Sequence, residues 1–334
     1  MITEVFQGSS YPETLAREWE ALLGRNHFRN PFLSPTWHEI WLKHFGQSLD
    51  VQVIIFRALE GTLLALGAFA NSTGEGGQKG LSLLGSAEVS DYRDLVITPG
   101  KEEEAFSTLA RIFAEGPWEY LELNGISEFS PTVQFFPSIA QSLGFRVSQE
   151  IEEVGLYLDL PETWDFFLAG LKTKDRHELR RKMRRMEREA FILELGVEDA
   201  PSLQEKMEVF FDLHRKSRKD KAQFMTPEMK AFFRELSTRF QEKGWLNLFL
   251  LKVEEKEIAA LFSFDFAGVE YLYNSGYDPQ FAPLSPGIVL AALCIRQAIE
   301  KGMVGFNFLR GREDYKYHLG GREEKIYRIM VKKR

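Results

Sequence analysis

A loop rich in turn-forming residues, DPQFAPLSPG, leads directly into the helical run IVLAALCIRQAIEKG in the C-terminal half of the sequence. The N-terminus of a helix presents free backbone N–H groups and the positive end of the helix dipole, which together bind anions. Glycine allows the backbone to approach a ligand closely. We therefore predict that Ser285, Gly287 and the amides of Ile288 and Val289 cradle a phosphate group. The alternative is an ordinary helix start, with Ser285 as N-cap and Pro286 at the first helical position.

A second group of polar side chains follows a strand near the C-terminus, in FNFLRGREDYKYHLGG. Polar groups just past the C-terminal end of a strand, beside a helix N-terminus, lie where ligands bind in open α/β sheets. Arg310, Asp314, Tyr315 and Lys316 could anchor a phosphate or act as acid or base. A solvated loop with a surface ion pair is the alternative.

A third polar segment, LLGSAEVSDYRDLVI, lies in the N-terminal half between two short strands. Its Ser90, Asp91 and Tyr92 form an insertion in which a substrate hydroxyl or amine could meet a carboxylate base. The same residues would also suit an Asx-turn beside a packed tyrosine. Both interpretations stay open at the level of sequence.

A basic helix runs from Lys172 to Arg188, with Leu179, Met183 and Met186 recurring at helical spacing. Such a run could bind phosphates, an acidic lipid surface or RNA. Because acidic residues are interspersed, a solvated or domain-bridging face is the alternative.

Composition and motifs exclude several classes of protein. The chain of 334 residues is 44% hydrophobic, and its net charge of −7 argues against a protein that coats nucleic acid, so we expect no DNA partner. The six histidines show no metal-ligand spacing, and the sequence contains no CxxC, HExxH, GxSxG, Walker A or GxGxxG motif. We therefore predict no metal site and no P-loop or Rossmann nucleotide site.

Two further features concern the compartment of the protein. Cys294 is the only cysteine, which excludes an internal disulfide and fits a reducing environment. The first residues lack the charged and apolar regions of a signal peptide, and no apolar run reaches the ~18 residues that span a bilayer. We expect a cytoplasmic protein without a transmembrane segment.

The motifs lie in two successive α/β regions in which the same order of elements appears twice, without a residue-level repeat. We predict an N-terminal domain over 1–160, a basic linker helix over 161–190 and a C-terminal domain over 191–334, which includes the terminal strand KIYRIMVKKR. The predicted fold class is α/β (α+β), with a mixed, mostly antiparallel sheet flanked by helices in each domain.

The order and spacing of these blocks resemble those of the CelD/BcsL-type acetyltransferases, which belong to the GNAT superfamily and are structurally akin to the FemAB peptidyl transferases. The likeness covers nearly the whole chain. NPFLSPTWHEIWLKHFG is similar to the N-terminal block of that family, LLGSAEVSDYRDLVITPG to its Ser-Asp-Tyr block, and LRRKMRRMERE to its basic helix. Trp245 to Lys316, with YNSGYDPQFAPLSPGIVL and FNFLRGREDYKYHLGG, is similar to its C-terminal core.

The resemblance implies two GNAT-like domains in tandem and transfer of an acetyl or other acyl group from acyl-CoA, as co-substrate, to an amine or hydroxyl. Family members are associated with exopolysaccharide or cellulose production, which implies a glycan or cell-envelope precursor as acceptor. By position, Ser285, Pro286 and Gly287 fall on the family's loop before the helix, and the predicted acyl-CoA site comprises these residues together with the amides of Ile288 and Val289. The candidates for binding the acceptor substrate are Asn307, Arg310, Gly311 and Lys316. The catalytic candidates are Asp91 and Asp314 as bases, Tyr277 and Tyr315 as acids for the leaving thiolate, and Tyr92.

Two departures from the family pattern bear on function. Asn307 stands where the family usually has aspartate, and PLSPG replaces the GNAT pyrophosphate signature Arg/Gln-x-x-Gly-x-Gly/Ala. These departures favour one alternative, a non-catalytic GNAT-like binding or scaffold protein. The other alternative is a FemAB-like transferase whose donor is aminoacyl-tRNA, with the basic helix as the RNA contact.

Overall fold

The computed structural model describes residues 1–8, 11–189, 191–195 and 200–334. It divides into two compact units. The first unit comprises Met1–Val154 together with Glu324–Arg334, and the second comprises Gly155–Glu323. Each unit contains a mixed, mostly antiparallel sheet with helices packed on it, which confirms the predicted fold class.

The strands of the described chain are defined by their backbone pairing. They are β1 (Ile2–Gln7), β2 (Val51–Arg57), β3 (Leu63–Thr73), β4 (Lys79–Leu83), β5 (Val96–Ile97), β6 (Tyr120–Ser127), β7 (Arg146–Asp159), β8 (Ile192–Leu195), β9 (Leu246–Val253), β10 (Lys256–Phe266), β11 (Val269–Tyr277), β12 (Gly305–Arg310) and β13 (Arg322–Lys332).

The helices are α1 (Glu13–Leu23), α2 (Pro35–Phe45), α3 (Glu102–Glu115), α4 (Pro131–Ser142), α5 (Trp164–Gly170), α6 (Thr173–Glu187), α7 (Ala200–Ser217), α8 (Lys219–Phe224), α9 (Pro227–Glu242), α10 (Pro286–Glu300) and α11 (Asp314–His318). A 3-10 turn over Pro279–Leu284 precedes α10.

In the first unit the strands pair in the order β1-β2-β3-β4-β6-β13. All of these pairs are antiparallel except β4 and β6, which run parallel. Helices α3 and α4 cover the sheet with Phe106, Phe113 and Phe136, each of which is fully buried in the core of this unit.

A serine–proline pair, Ser34-Pro35, starts helix α2. The Ser34 hydroxyl accepts a hydrogen bond from the Trp37 N–H, and Pro35 occupies the first helical position. The helix then buries His38 and Trp41 on one of its sides. The cap therefore fixes the residue at which α2 begins, and with it the positions of the His38 and Trp41 side chains.

In the second unit the strands pair in the order β12-β11-β10-β9-β8, with the last part of β7 beside β12. Among the described strands of this unit, β11 and β12 are the pair that runs parallel, and their pairing extends from Val269 opposite Gly305 to Tyr271 opposite Asn307. Beyond that point β11 continues without β12 as a partner. The two parallel strands therefore part and leave an opening in the sheet.

The side chains of β10 alternate between two apolar layers, as the period of a strand requires. Leu261 belongs to the core around the buried helix α10, where Cys294 and Ile295 are also buried. Phe262 points to the other layer, where its ring centroid lies 5.5 Å from that of Phe210 on α7 and 5.5 Å from that of Phe233 on α9. Helices therefore cover both faces of the sheet in the second unit.

The two units differ from the predicted domains at the linker and at the C-terminus. The predicted linker includes α6, but Leu179 and Met186 of this helix are buried in the core of the second unit. The terminal strand β13 pairs antiparallel with β6, and its Ile329 and Val331 are buried in the core of the first unit rather than in the C-terminal domain. Pairing between strands that lie far apart in sequence leaves no local pattern from which it could be predicted.

A buried carboxylate lies within the sheet of the second unit. Glu270 is 1% exposed, and it accepts hydrogen bonds from Asn247 Nδ2 at 2.8 and 3.1 Å and from the Ser263 hydroxyl. Lys301 Nζ donates to Asn247 Oδ1 at 3.2 Å. Burial raises the pKa of Glu270 to about 7, although these hydrogen bonds and the Lys301 ammonium oppose the change.

We expect Glu270→Gln to remove a pH dependence of stability. The folded protein retains the Glu270 proton up to about pH 7, whereas the unfolded chain loses it near the ordinary pKa of 4.5. The free energy of unfolding therefore falls as the pH rises through this window, by about 2–3 kcal/mol. Urea unfolding of wild type and variant at about pH 5 and about pH 8 measures the difference. The free energy of unfolding of Glu270→Gln, relative to that of wild type, should increase by this amount between the lower and the higher pH. Glu255→Gln, in the exposed hairpin turn, should show no such increase.

Candidate functional site

A cavity of about 440 Å³ opens in the second unit where β11 and β12 part. Its apolar lining includes Leu261, Leu272 and Ala291. The other lining residues lie on β11, at the starts of α10 and α11, and in the α7–α8 region. They include Ser217, Arg218, Lys221, Ser275, Tyr277, Ser285, Gly287, Glu313 and Tyr315. An apolar pocket of this size with a few converging polar groups is typical of small-molecule sites.

The loop before α10 forms one side of the cavity. Ser285 adopts a left-handed conformation with φ 55° and ψ 48°, between the 3-10 turn and the helix. The Ser285 carbonyl accepts hydrogen bonds from the Ile288 and Val289 N–H groups, both at 3.1 Å. The predicted phosphate cradle included these two amides, but the structure engages them within the helix.

Gly287 remains as the backbone donor of the predicted cradle. Its N–H lies at the second helical position, where no preceding turn supplies a carbonyl. A Cβ atom at Gly287 would lie 3.5 Å from Tyr277 Cδ1, its nearest contact among the described residues outside its chain neighbours and the backbone of its own helix. The space beside this glycine is therefore open toward the cavity that it lines.

Two basic side chains of α6 brace this loop. Lys182 Nζ donates to the Ser285 hydroxyl at 3.1 Å, and Arg185 donates to the Pro283 carbonyl at 2.7 Å. Their ammonium and guanidinium groups also place positive charge beside the start of α10. The predicted basic helix thus has a positioning role at the site, and several of its other basic residues are exposed: Lys172, Lys174, Arg180, Arg181, Arg184 and Arg188.

The short helix α8 supplies an amine to the cavity. Lys221 Nζ donates to the Ser275 carbonyl at 2.5 Å. Burial, followed by the nearby Arg218 guanidinium, lowers the pKa of Lys221 to about 8. Lys221 was not among the predicted site residues, because its local sequence signal is no more than the charged run RKDK between two longer helices.

A tyrosine and a carboxylate on the segment after β12 also line the cavity. Burial, followed by the Glu313 carboxylate, raises the pKa of Tyr315, so its phenol stays protonated at neutral pH. Burial would raise the pKa of Glu313 as well, but the Lys316 ammonium, 2.9 Å from Glu313 Oε2, holds it below its ordinary value. The cavity therefore contains a protonated phenol and an ionised carboxylate. Tyr315 was among the predicted site residues, whereas Glu313 was not.

The predicted substrate-binding residues on β12 and after it have other contacts. Lys316 is 3% exposed, and its Nζ donates to the carbonyls of Arg310 at 2.6 Å and Gly311 at 3.3 Å. The Asn307 Oδ1 accepts a hydrogen bond from the Leu309 N–H at 2.8 Å. None of Asn307, Arg310, Gly311 and Lys316 is among the residues that line the cavity. Lys316 and Asn307 instead hold the backbone where β12 ends.

Three predicted catalytic residues lie outside the cavity lining. Asp314 is exposed on the first turn of α11. Asp91 and Tyr92 belong to the first unit. Tyr92 is fully buried, with its ring centroid 5.2 Å from that of Phe28 and 6.2 Å from that of Phe32, so it is the packed tyrosine of the alternative interpretation.

Among the described residues, no group of three or more His, Cys, Asp and Glu side chains could hold a metal ion. Within the same residues, no helix combines the length and the apolar composition that crossing a membrane requires.

Comparisons with known proteins fit the architecture of the site. Residues 173–317 match the family described as acetyltransferase (GNAT) domain. A search of curated protein sequences found no significant match.

Solved structures similar to the chain include FemX, with 10% identity, a TM-score of 0.68 and coverage of 98% of this chain and 97% of that one. A conserved protein of unknown function from Bacteroides thetaiotaomicron is 11% identical, with a TM-score of 0.65 and coverage of 99% and 100%. A tandem GNAT protein from the clavulanic acid biosynthesis pathway is 11% identical, with a TM-score of 0.52 and coverage of 98% of both chains. Residues 173–317 thus match the GNAT acetyltransferase domain, and the chain as a whole has the fold of tandem GNAT-like proteins.

Proposed function

We propose that the protein is an acyltransferase that binds acyl-CoA in the cavity of the second unit and transfers the acyl group to an amine or hydroxyl. The observation that carries this proposal is the opening between two parallel strands, with a helix N-terminus on one side and the partly buried Tyr315 on the other. Every residue that lines the cavity falls within 173–317, the part of the chain that matches the GNAT domain.

The backbone of β11 offers a binding edge for the donor. Past Tyr271 this strand no longer pairs with β12, so its edge presents N–H and C=O groups that can pair with an extended ligand. The amides of the pantetheine arm suit that edge, and the pyrophosphate suits the Gly287 N–H at the start of α10. Lys182 and Arg185 add positive charge at the same end of the site.

The chemistry needs a base and an acid. The acceptor nucleophile attacks the thioester carbonyl, a new C–N or C–O bond forms, and the C–S bond breaks. The ionised Glu313 carboxylate takes the proton of the nucleophile, directly or through a water molecule, and the Tyr315 phenol protonates the leaving thiolate. We assign the basic role to Glu313 rather than to Asp314 because only Glu313 lines the cavity.

The acceptor class rests on sequence resemblance. The blocks NPFLSPTWHEIWLKHFG and LLGSAEVSDYRDLVITPG, together with the C-terminal core, resemble the CelD/BcsL-type acetyltransferases. Members of that family are associated with exopolysaccharide or cellulose production. This supports a glycan or cell-envelope precursor as acceptor in the cytoplasm.

Calorimetric titration with acetyl-CoA, longer acyl-CoAs and free CoA tests the donor. We expect saturable binding, and at ~100 times its dissociation constant the ligand should stabilise the protein by about 2.7 kcal/mol in a thermal unfolding assay. Binding by none of these CoA compounds would overturn the proposal.

A FemAB-like transferase that uses aminoacyl-tRNA is the second candidate. The fold similarity to FemX and the exposed arginines of α6, Arg180, Arg181 and Arg184, favour it. Affinity for tRNA that falls steeply with salt concentration, without affinity for CoA, would support it. A protein that binds neither acyl-CoA nor aminoacyl-tRNA would fit the remaining alternative, a non-catalytic GNAT-like binding or scaffold protein.

A further inference from the structure

A small cleft in the first unit joins two of the sequence motifs, SPTWHEIW and GSAEVSDYRD. Its lining includes Phe32, Trp37, His38, Trp41, Ser90 and Arg93. The indole N–H of Trp37 donates to the Ser90 hydroxyl at 3.1 Å and so connects the two segments. The accessible space is about 10 Å³, which suits a single group of about the size of a water molecule.

His38 Nδ1 and Trp41 Nε1 belong to residues that line this cleft, and neither atom has a hydrogen-bond partner among the described residues. Both side chains are buried, with His38 9% and Trp41 5% exposed. Because they are three positions apart on α2, their side chains lie on the same side of the helix. Buried polar atoms are rarely left without a partner, so this pair points to a ligand.

The two atoms differ in hydrogen-bonding character. Burial lowers the pKa of His38 to about 4, so the imidazole is neutral at physiological pH and carries one N–H and one lone pair. Its hydrogen bond with the Phe32 backbone favours the protonated ring, which means that a ring N–H donates there. Nδ1 therefore presents the lone pair. The Trp41 indole can only donate, so the cleft offers one acceptor and one donor.

The charged residue of the cleft already has partners. Arg93 Nη1 donates to the Gly85 carbonyl at 3.2 Å, and Nη2 lies 3.8 Å from a Glu152 carboxylate oxygen. A carboxylate ligand would place an oxygen lone pair against the lone pair of His38, and an ammonium ligand would place an N–H group against the N–H of Trp41. Both contacts are repulsive. A hydroxyl satisfies both residues with one oxygen, because it accepts from Trp41 and donates to His38.

We infer that this cleft is a recognition site for one hydroxyl group of a neutral polyol or sugar. All of its residues belong to the first unit and lie outside the region that matches the GNAT domain. The inference therefore goes beyond the proposed donor site, and its test contains no CoA, so either proposal can fail without the other.

The test follows the indole N–H groups of the full chain by NMR after labelling of the six tryptophans with ¹⁵N at the indole nitrogen. Glycerol and glucose are the neutral probes, and acetate and methylammonium are the charged ones. We expect the Trp41 signal, assigned by its loss in Trp41→Phe, to shift saturably with a neutral probe and not with a charged one. The signal of Trp245, in the second unit, should not move.

Matched variants separate the hydrogen bonds from the packing. Trp41→Phe and His38→Leu each remove one of the two hydrogen-bond partners. The affinity for glucose, measured in both variants from the shift of the Trp37 indole signal, should therefore fall about 10-fold. Trp118→Phe also deletes an indole N–H in the first unit, one that donates to Asn71 at 2.6 Å, and it should leave affinity unchanged. Thermal unfolding shows whether each variant is folded.

Two outcomes would overturn the inference. If neither glycerol nor glucose shifts the Trp41 signal, the cleft holds only a water molecule. If acetate or methylammonium shifts it as strongly as glucose, the site does not select a hydroxyl.

Discussion

Gly287→Glu should weaken the binding of acetyl-CoA by at least about 100-fold, equivalent to about 3 kcal/mol. The glycine lines the cavity at the second position of α10, where its N–H is the backbone donor expected for the pyrophosphate. A glutamate side chain would extend into the cavity and bring a carboxylate to the place that the phosphates need. A negative charge in the first turn of a helix stabilises that helix, so the fold should persist.

Two milder variants at the same position separate the causes. The Cβ of Gly287→Ala would meet Tyr277 Cδ1 at 3.5 Å, an ordinary contact, so this variant should bind acetyl-CoA with nearly wild-type affinity. Gly287→Gln has the size of glutamate without its charge and should fall between the two. Calorimetry gives the three dissociation constants. If Gly287→Glu bound acetyl-CoA as tightly as wild type, the N-terminus of α10 could not be part of the donor site.

The layout of this site was largely predictable because its signals are local. The loop DPQFAPLSPG, the helical run IVLAALCIRQAIEKG and the strand in FNFLRG predict α10 and β12 within a few residues. That layout places Tyr277, Ser285 and Gly287 in order along the chain, and all three line the cavity.

The remaining features depend on contacts between distant segments. Lys221 lines the cavity because α7 packs on β11 and α8 packs on α7. Glu313 lines it because Lys316 holds the backbone after β12 through a hydrogen bond to the Arg310 carbonyl. Lys316 and Asn307 show the opposite case. Their residue types suggested substrate binding, but both satisfy backbone groups at the end of β12. A sequence pattern shows that a side chain can form hydrogen bonds, but it does not show with which partner.

Replacement of Tyr315 by phenylalanine should lower kcat by about 100-fold or more, the usual contribution of general acid catalysis, and leave the affinity for acetyl-CoA nearly unchanged. The Tyr315 phenol lines the cavity, and its raised pKa keeps it protonated over the physiological range, so it can protonate each thiolate that leaves. The variant loses one hydroxyl and keeps the ring that packs near Phe308. The fold should therefore be preserved.

The matched control for this prediction is Tyr277→Phe. Tyr277 lines the same cavity and is the other predicted acid, but it lies at the end of β11 against Gly287, on the side where we place the pyrophosphate. Release of the CoA thiol, measured with an acceptor found by screening amines and sugars, gives kcat for each variant, and calorimetry gives the affinity. A loss of turnover confined to Tyr277→Phe would move the acid to that residue. A loss of affinity without a change in kcat in Tyr315→Phe would make Tyr315 a binding residue, because a group that acts only on the leaving thiolate contributes to the transition state and not to the bound donor.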